Sequence, residues 1–170
     1  RSVFAGVTLT DTDGDGNDFI EAQGGDDVVF AGAGDDNVDG GAHNDTIYGE
    51  TGLDLLAGGA NDDEISGGLG ADRIFGYGVG PGDAYNDGGS TATDGDDLIF
   101  GDDGNDLIRG NGGSDTIYAG RGADVVFGDA GADFIYGENE GDTIFGGAGD
   151  DAVEGGTGND TVFGDDGLAI

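Results

Sequence analysis

The stretch that decides the fold is residues 67–75, which read Gly67-Gly68-Leu69-Gly70-Ala71-Asp72-Arg73-Ile74-Phe75. The same nine-residue pattern returns along most of the chain, and residues 155–163 repeat it as Gly155-Gly156-Thr157-Gly158-Asn159-Asp160-Thr161-Val162-Phe163. Each unit begins with glycine-rich positions, carries an aspartate at position six and an aliphatic residue at position eight. A fixed period of this kind predicts a solenoid in which every unit adds a further copy of one structure.

The repeats divide the chain into five segments. We expect an N-terminal edge strand or cap over 1–12, a block of seven units over 13–75, an inserted loop with one degenerate unit over 76–91, a block of eight units over 92–163 and an incomplete terminal unit over 164–170. A loop inserted into one continuous solenoid is the preferred interpretation, and a boundary between two separate rolls is the alternative. In the terminal unit Ala169 stands at position six, so we expect the row of aspartates to stop before it.

The two parts of a unit differ in conformational preference. Positions one to six are rich in glycine, which is costly inside a strand and favoured where φ is positive, so they predict a turn. Positions seven to nine are β-branched or aromatic, as in Thr116-Ile117-Tyr118, and predict a three-residue strand with its middle residue inward. Two units then make one coil of 18 residues, and coils stacked about 4.8 Å apart give a narrow parallel β-solenoid.

The inward set at position eight has one aliphatic residue per unit. Its members are Ile20, Val29, Val38, Ile47, Leu56, Ile65, Ile74, Ile99, Ile108, Ile117, Val126, Ile135, Ile144, Val153 and Val162. So thin a core does not outweigh the conformational entropy lost when nine residues are ordered around each of these side chains. The sequence therefore predicts a further source of stability.

The net negative charge of the chain increases the need for a further source of stability. The chain has 38 acidic and 4 basic residues, for a net charge of −34, and like charges repel in a compact state. The carboxylates at position six would form two rows at strand spacing: Asp18, Asp27, Asp36, Asp45, Asp54, Asp63, Asp72, Asp97, Asp106, Asp115, Asp124, Asp133, Asp142, Asp151 and Asp160. Bound cations would make such rows tolerable.

The available donor atoms select the cation. Carboxylates and main-chain carbonyls are hard oxygen donors, whereas the chain has no Cys, no Met and a single His to offer zinc, copper or haem. Calcium accepts six to eight oxygens in loose geometry, while magnesium demands a tight octahedron. We therefore expect the position-six aspartates to bind Ca²⁺.

The repeat G-G-x-G-x-D-x-U-x resembles the calcium-binding nonapeptide of RTX (repeats-in-toxin) proteins, and the resemblance covers about four fifths of the chain. It implies a right-handed parallel β-roll with calcium in the turns. In that roll each ion lies between units two apart in sequence and takes oxygens from both position-six aspartates and from carbonyls of the glycine turns. Carried over, this gives five pairings in the first block and six in the second, or about eleven ions, and more if the blocks stack on each other.

Three classes of function are open at this point. The RTX resemblance favours a module that folds on calcium outside the cell and aids secretion and folding of a larger protein, secreted from or displayed by a Gram-negative bacterium through type I secretion. The second class is a surface binding module: an adhesin, an S-layer-like piece, or a carbohydrate-binding module such as that of an alginate epimerase. The third is an enzyme, such as a serralysin-like protease or an RTX lipase. Neither H-E-x-x-H nor G-x-S-x-G occurs, so a catalytic domain of the parent protein would lie outside this chain.

The sequence disfavours several partners. Only Arg73, Arg109 and Arg121 lie within the repeats, which is few for binding an acidic polysaccharide, and the net charge argues against nucleic acid. No apolar run reaches the length of a transmembrane helix. The ice-binding form of the repeat, x-G-T-G-N-D-x-U-x, is matched only by residues 156–160. The expected partners are calcium ions and other domains of the same polypeptide.

Position four departs from glycine at His43, Asn61 and Glu140. We interpret His43 as a tolerated turn substitution, because no nucleophile or second histidine accompanies it. Asn61 accepts positive φ more readily than the other two, so calcium sites beside His43 and Glu140 should be weaker.

Position nine is often aromatic. Residues 18 apart would lie on neighbouring coils, so Phe127, Phe145 and Phe163 should form one ladder, and Phe100, Tyr118 and Tyr136 another. Such ladders would shield the strands beside them, or alternatively offer a surface to a protein or glycan partner.

Overall fold

The computed structural model describes residues 8–10, 16–76 and 95–164. Sixteen strands lie in this part of the chain: β1 Thr8–Thr10, β2 Phe19–Glu21, β3 Val28–Ala33, β4 Asn37–Ala42, β5 Thr46–Thr51, β6 Leu55–Ala60, β7 Glu64–Leu69, β8 Arg73–Phe75, β9 Leu98–Asp103, β10 Leu107–Gly112, β11 Thr116–Arg121, β12 Val125–Ala130, β13 Phe134–Asn139, β14 Thr143–Ala148, β15 Ala152–Glu154 and β16 Thr161–Phe163. None of the described residues belongs to a helix long and apolar enough to cross a membrane.

The strands alternate between two parallel sheets. The odd-numbered strands β1 to β15 form one sheet in chain order, here called the odd sheet, and the even-numbered strands β2 to β16 form the other, the even sheet. Within a block, neighbours pair with a shift of 18 residues, as Ile117 with Ile135 in the odd sheet and Val126 with Ile144 in the even sheet. The predicted parallel β-solenoid of 18-residue coils is therefore confirmed. Its right-handed sense stays a prediction.

Each sheet continues across residues 77–94. β7 pairs with β9, with Ile65 opposite Ile99, and β8 pairs with β10, with Ile74 opposite Ile108. The described parts of the two repeat blocks therefore contribute strands to the same two sheets. Most of 76–91, most of the cap over 1–12 and the terminal unit beyond Gly164 lie outside the described residues, so the segment limits remain predictions.

Most of the strands are longer than the sequence predicts. β11 runs over Thr116–Arg121 and so covers positions seven to nine of one unit and one to three of the next. In the eleven strands of six residues the predicted three-residue strand and six-residue turn are wrong, and the turn is shortened to positions four to six. The strands β2, β8, β15 and β16 have the predicted three residues. Glycine at position one is tolerated because its backbone finds partners on identical strands on both sides, which outweighs a low strand propensity.

The core is the predicted column of position-eight side chains. Those from Val29 to Ile144 are fully buried, while Ile20, Val153 and Val162, near the two ends of the described stack, are partly buried against them. Position one points inward as well, since Ala22, Ala31 and Ala119 are buried in it. Because position one holds only glycine or alanine in the described residues, the interior between the sheets stays narrow.

The predicted aromatic ladders are present. In the even sheet the ring centroids of Phe127 and Phe145 lie 4.8 Å apart, and those of Phe145 and Phe163 lie 4.7 Å apart. In the odd sheet Tyr118 stacks on Phe100 at 5.2 Å and on Tyr136 at 4.9 Å. The rings are half-buried, so they shield the strands but still reach the surface.

Candidate metal centre

The fold places the fifteen position-six aspartates in two rows, one along each sheet. Each aspartate is the residue directly before a strand, as Asp115 is before β11. The row beside the odd sheet contains Asp27, Asp45, Asp63, Asp97, Asp115, Asp133 and Asp151, and the row beside the even sheet contains Asp18, Asp36, Asp54, Asp72, Asp106, Asp124, Asp142 and Asp160. The predicted gathering of these residues is therefore seen, while their role as calcium ligands stays a prediction.

Neighbouring aspartates of a row are joined by hydrogen bonds. The backbone N–H of each donates to Oδ1 of the aspartate one coil later, over 2.7–3.1 Å, and thirteen such bonds join the fifteen residues. Two of them, from Asp63 to Asp97 and from Asp72 to Asp106, connect the two repeat blocks. The main-chain carbonyls of thirteen of the aspartates also accept from the next coil, as that of Asp124 does from the Thr143 N–H at 2.9 Å. The aspartate backbone and one carboxylate oxygen are therefore held in place.

The second carboxylate oxygen has a different environment. Twelve of the aspartates are at most 3% exposed. Within the described part of the chain, Oδ2 is buried and accepts no hydrogen bond in Asp45, Asp54, Asp72, Asp106, Asp124, Asp133, Asp142 and Asp151. A buried ionised oxygen without a donor or cation is strongly unfavourable. The rows thus present oxygens whose charge the protein itself does not compensate.

The pKa values of these carboxyls reflect that environment. Burial raises the pKa of Asp106 and Asp133 to about 7, and that of Asp45, Asp54 and Asp124 to about 6. The backbone hydrogen bond to Oδ1 lowers each value, and the neighbouring carboxylates of the row raise it further. Without a cation, the fold therefore favours protonated carboxyls.

Main-chain carbonyls supply further oxygens in the same turns. The position-four carbonyl of Gly52 points at Gly70, one coil later, so closely that a Cβ on Gly70 would collide with it. That carbonyl accepts no hydrogen bond within the described residues. At position one, a Cβ on Gly49 would lie 2.5 Å from the Gly67 oxygen and 2.6 Å from Oδ2 of Asp54. Glycine at these positions leaves room in which carbonyl and carboxylate oxygens of adjacent coils approach one another.

These donors fit a hard cation bound largely by the main chain. No three His, Cys, Asp or Glu side chains come together as a metal-binding group in the described ranges. An ion in the turns would therefore take one or two carboxylates of a row and complete its shell with carbonyls or water, which calcium accepts and zinc does not. The residues that would hold calcium are successive aspartates of one row together with carbonyls of the glycine turns.

A second row of side-chain contacts was not predicted. Position-five side chains accept hydrogen bonds from the backbone one coil later, in the opposite direction to the aspartates at position six. Asn105 Oδ1 accepts from the Ala123 N–H at 2.8 Å, and Asp62 Oδ1 accepts from the Asp96 N–H at 3.0 Å. The frequent Asn and Asp at position five, such as Asn17 and Asp35, were the available signal. These contacts fix the outer edge of the turns that have an Asn, Asp or Ser acceptor at position five.

Backbone strain is concentrated at two positions of the unit. At position four φ is 86° in His43, 84° in Asn61 and 73° in Glu140, as the sequence predicts. The other described non-glycine residues with positive φ all stand at position two, which was not predicted: Gln23, Glu50, Asp102, Asn111, Asp129 and Glu138. Glycine at position two in many other units, as in Gly41 with φ of 105°, was the signal for it.

The chain matches a model of a known protein family. The family model described as RTX calcium-binding nonapeptide repeat (4 copies) matches residues 12–47, 39–74, 91–126, 109–144 and 136–167. Together these ranges cover more than half of the chain and fall on both repeat blocks. No curated protein matches the chain.

Proposed function

Since the chain belongs to the family of RTX calcium-binding nonapeptide repeats, we propose that it is a folding module which stays unfolded where calcium is scarce and folds on calcium outside the cell. Repeats of this family indicate a calcium-binding module of secreted proteins and are typical of Gram-negative bacteria. The repeat fold is structural and not catalytic. Any activity of the parent protein would belong to its other domains.

The observation that carries the proposal is the burial of uncompensated carboxylate oxygens in the two aspartate rows. Asp106 and Asp124 are almost fully buried, each has an Oδ2 without a hydrogen bond, and both have raised pKa values. At neutral pH without metal, ionising them opposes folding. A cation that binds only the folded turns removes this penalty and supplies folding free energy by linkage.

The net charge of the chain connects calcium-dependent folding with export. With −34 charges the metal-free chain repels itself and should be expanded. About eleven ions would bring roughly +22 and leave a net charge near −12, and the two pairs that connect the blocks would raise the number to about thirteen. An expanded chain suits a narrow export channel, whereas the folded, less charged solenoid formed outside could not slide back. Calcium would thus trigger folding and make export one-way.

Export of the chain carrying a type I secretion signal tests the proposal. Export rate and recovered folded protein are compared at low and high external calcium, and both should rise with calcium. The matched control replaces Asp106, Asp124 and Asp142 with Asn, which keeps the shape of the turns but removes three carboxylates, so its export should respond weakly. Export that is indifferent to calcium in both proteins would favour a passive adhesin or spacer instead.

A further inference from the structure

The aromatic ladder of the odd sheet is interrupted at one strand. Position nine on successive odd strands from β3 to β13 is Phe30, Tyr48, Ser66, Phe100, Tyr118 and Tyr136. Ser66 lies in register between Tyr48 and Phe100. Tyr48 stacks on Phe30 at 5.0 Å, and Phe100 stacks on Tyr118 at 5.2 Å. The remaining face of each ring is therefore on the side of Ser66.

Position two repeats this arrangement two residues further along the same strands. Gly68 of β7 lies between Glu50 of β5 and Asp102 of β9. The Ser66 hydroxyl donates a 2.6 Å hydrogen bond to Oδ2 of Asp102, which draws that carboxylate toward β7. At these two positions strand β7 therefore carries only small residues, whereas each of its two neighbouring strands carries an aromatic ring and a carboxylate. We call this surface the β7 trough; it is formed by Tyr48, Glu50, Ser66, Gly68, Phe100 and Asp102.

In the even sheet, an arginine side chain occupies the position equivalent to that of Ser66. There Arg109 lies in register between Phe75 and Phe127, as Ser66 does between Tyr48 and Phe100. Its guanidinium carbon lies 4.9 Å from the ring centroid of Phe127. Its Nη2 donates to Oδ1 of Asp129 at 3.1 Å, and its Nε lies 3.1 Å from Oδ2. Asp129 follows Phe127 by two residues, as Asp102 follows Phe100, so the two places have the same aromatic and acidic neighbours.

We propose that the β7 trough binds an arginine side chain of a partner polypeptide. A planar guanidinium stacks on aromatic rings and forms paired hydrogen bonds with a carboxylate, which a lysine ammonium does not reproduce. The trough adds Glu50 as a second carboxylate. A second copy of this chain is a poor source of the arginine, because each copy has 38 acidic and only 4 basic residues and stays negatively charged with calcium bound. The partner is therefore a neutral or basic polypeptide, and the site requires only that the solenoid is folded.

The test uses short peptides and the calcium-loaded chain. Acetyl-Gly-Arg-Gly-amide is titrated at low salt, with binding followed by the backbone NMR signals of Ser66 and Gly68. The same peptide with lysine or with uncharged citrulline in place of arginine serves as the ligand control. We expect saturable shifts with arginine, binding weaker by about threefold or more with lysine, and none with citrulline.

Three variants locate the site. Ser66→Tyr completes the aromatic ladder and Ser66→Arg reproduces the Arg109 arrangement, so both should retain the fold and weaken peptide binding at least about tenfold. Asp102→Asn should weaken it about threefold. The matched control, Asp150→Asn, removes the same charge from an exposed position outside the trough and should leave binding unchanged.

Several results would overturn the proposal. They are equal binding of the arginine and lysine peptides, unchanged binding in the Ser66 variants, or an equal loss in Asp102→Asn and Asp150→Asn. Shifts at Ser66 caused by a tyrosine peptide but not by the arginine peptide would assign the trough to aromatic side chains instead. Circular dichroism at the same calcium concentration checks that each variant is folded. If Ser66→Tyr does not fold, Ser66→Arg and Asp102→Asn decide the question.

Discussion

The backbone N–H of Asp124 donates a 2.9 Å hydrogen bond to Oδ1 of Asp142, which occupies the same place one coil later. Oδ1 of Asp124 in turn accepts from the N–H of Asp106 at 2.8 Å, while its Oδ2 accepts no hydrogen bond from the described residues. One oxygen of each carboxylate thus belongs to the protein, and the other needs a cation or a proton. This division of the carboxylate leads to the predictions below.

Asp124→Asn should have effects of opposite sign with and without calcium. The amide keeps an oxygen for the Asp106 N–H and removes a buried charge, so residual structure in chelator should be more stable than in the parent. With calcium, loss of a ligand should raise the calcium midpoint of folding by roughly threefold or more. The β signal in EDTA, followed by circular dichroism, measures the first effect, and a calcium titration of folding measures the second. A change of the same sign in both buffers would contradict the division of roles.

Interior aspartates should matter more than terminal ones. Asp124 has row neighbours on both sides, Asp106 and Asp142, so Asp124→Ala should weaken two calcium sites. Asp160 is the last of the position-six set, and Asp160→Ala should weaken one. Stability in a solenoid is close to a sum of nearest-neighbour terms, so the interior change should also reduce cooperativity. Calcium titrations of the two variants compare midpoint and slope, and equal losses would argue against shared ions.

Acid should favour the metal-free fold. The pKa values of Asp45, Asp54 and Asp124 are raised from 3.8 to about 6, and those of Asp106 and Asp133 to about 7. Between these values the folded chain binds more protons than the unfolded chain, so its stability falls as pH rises from about 4 through 7. Circular dichroism in calcium-free buffer should show more β structure at pH 5 than at pH 7.5. Both of these measurement pH values lie above the isoelectric point of about 4.1, at which solubility is lowest. A β signal that grows with pH would contradict this sign.

Glycine should stabilise the two turns strained at position four. His43 and Glu140 have φ of 86° and 73°, a region that costs a residue with a side chain about 1–2 kcal/mol. His43→Gly and Glu140→Gly should each raise the free energy of unfolding by about 1 kcal/mol at fixed calcium, because glycine removes the strain. The greater flexibility of glycine in the unfolded chain offsets part of that gain. Asn44→Gly is the control, because Asn44 is not among the residues of positive φ, and it should be neutral or destabilising. Urea midpoints compare the three, and equal shifts would exclude relief of strain.

Much of the fold could be predicted because every unit repeats the same nine positions, so that equivalent residues stack on one another. The inward position-eight column, from Val29 to Ile144, and the stacking of Phe127 on Phe145 follow from spacing alone. The strand length could not be predicted that way. Glycine propensity describes an isolated residue, whereas Gly110 inside β10 is held by identical neighbours on both sides.

The candidate metal centre could also be predicted only in part. The alignment of the aspartates follows from the period, but the direction of each carboxylate does not. The hydrogen bond from the N–H of Asp106 to Oδ1 of Asp124 depends on the three-dimensional path of the turn, as do the positive φ of Glu50 and the contact from Asn105 to Ala123. The arrangement around Ser66 also needed the structure, because its neighbour Phe100 lies beyond the repeat interruption.

The central claim is that calcium supplies the free energy that folds this chain. A calcium titration of the metal-free protein, followed by circular dichroism, tests it most directly. In chelator at pH 7.5 the spectrum should be that of a disordered chain, and calcium in about the 10⁻⁴–10⁻³ M range should produce a cooperative gain of β signal, with magnesium ineffective at the same concentration. A stable β spectrum in excess EDTA at that pH would contradict the claim.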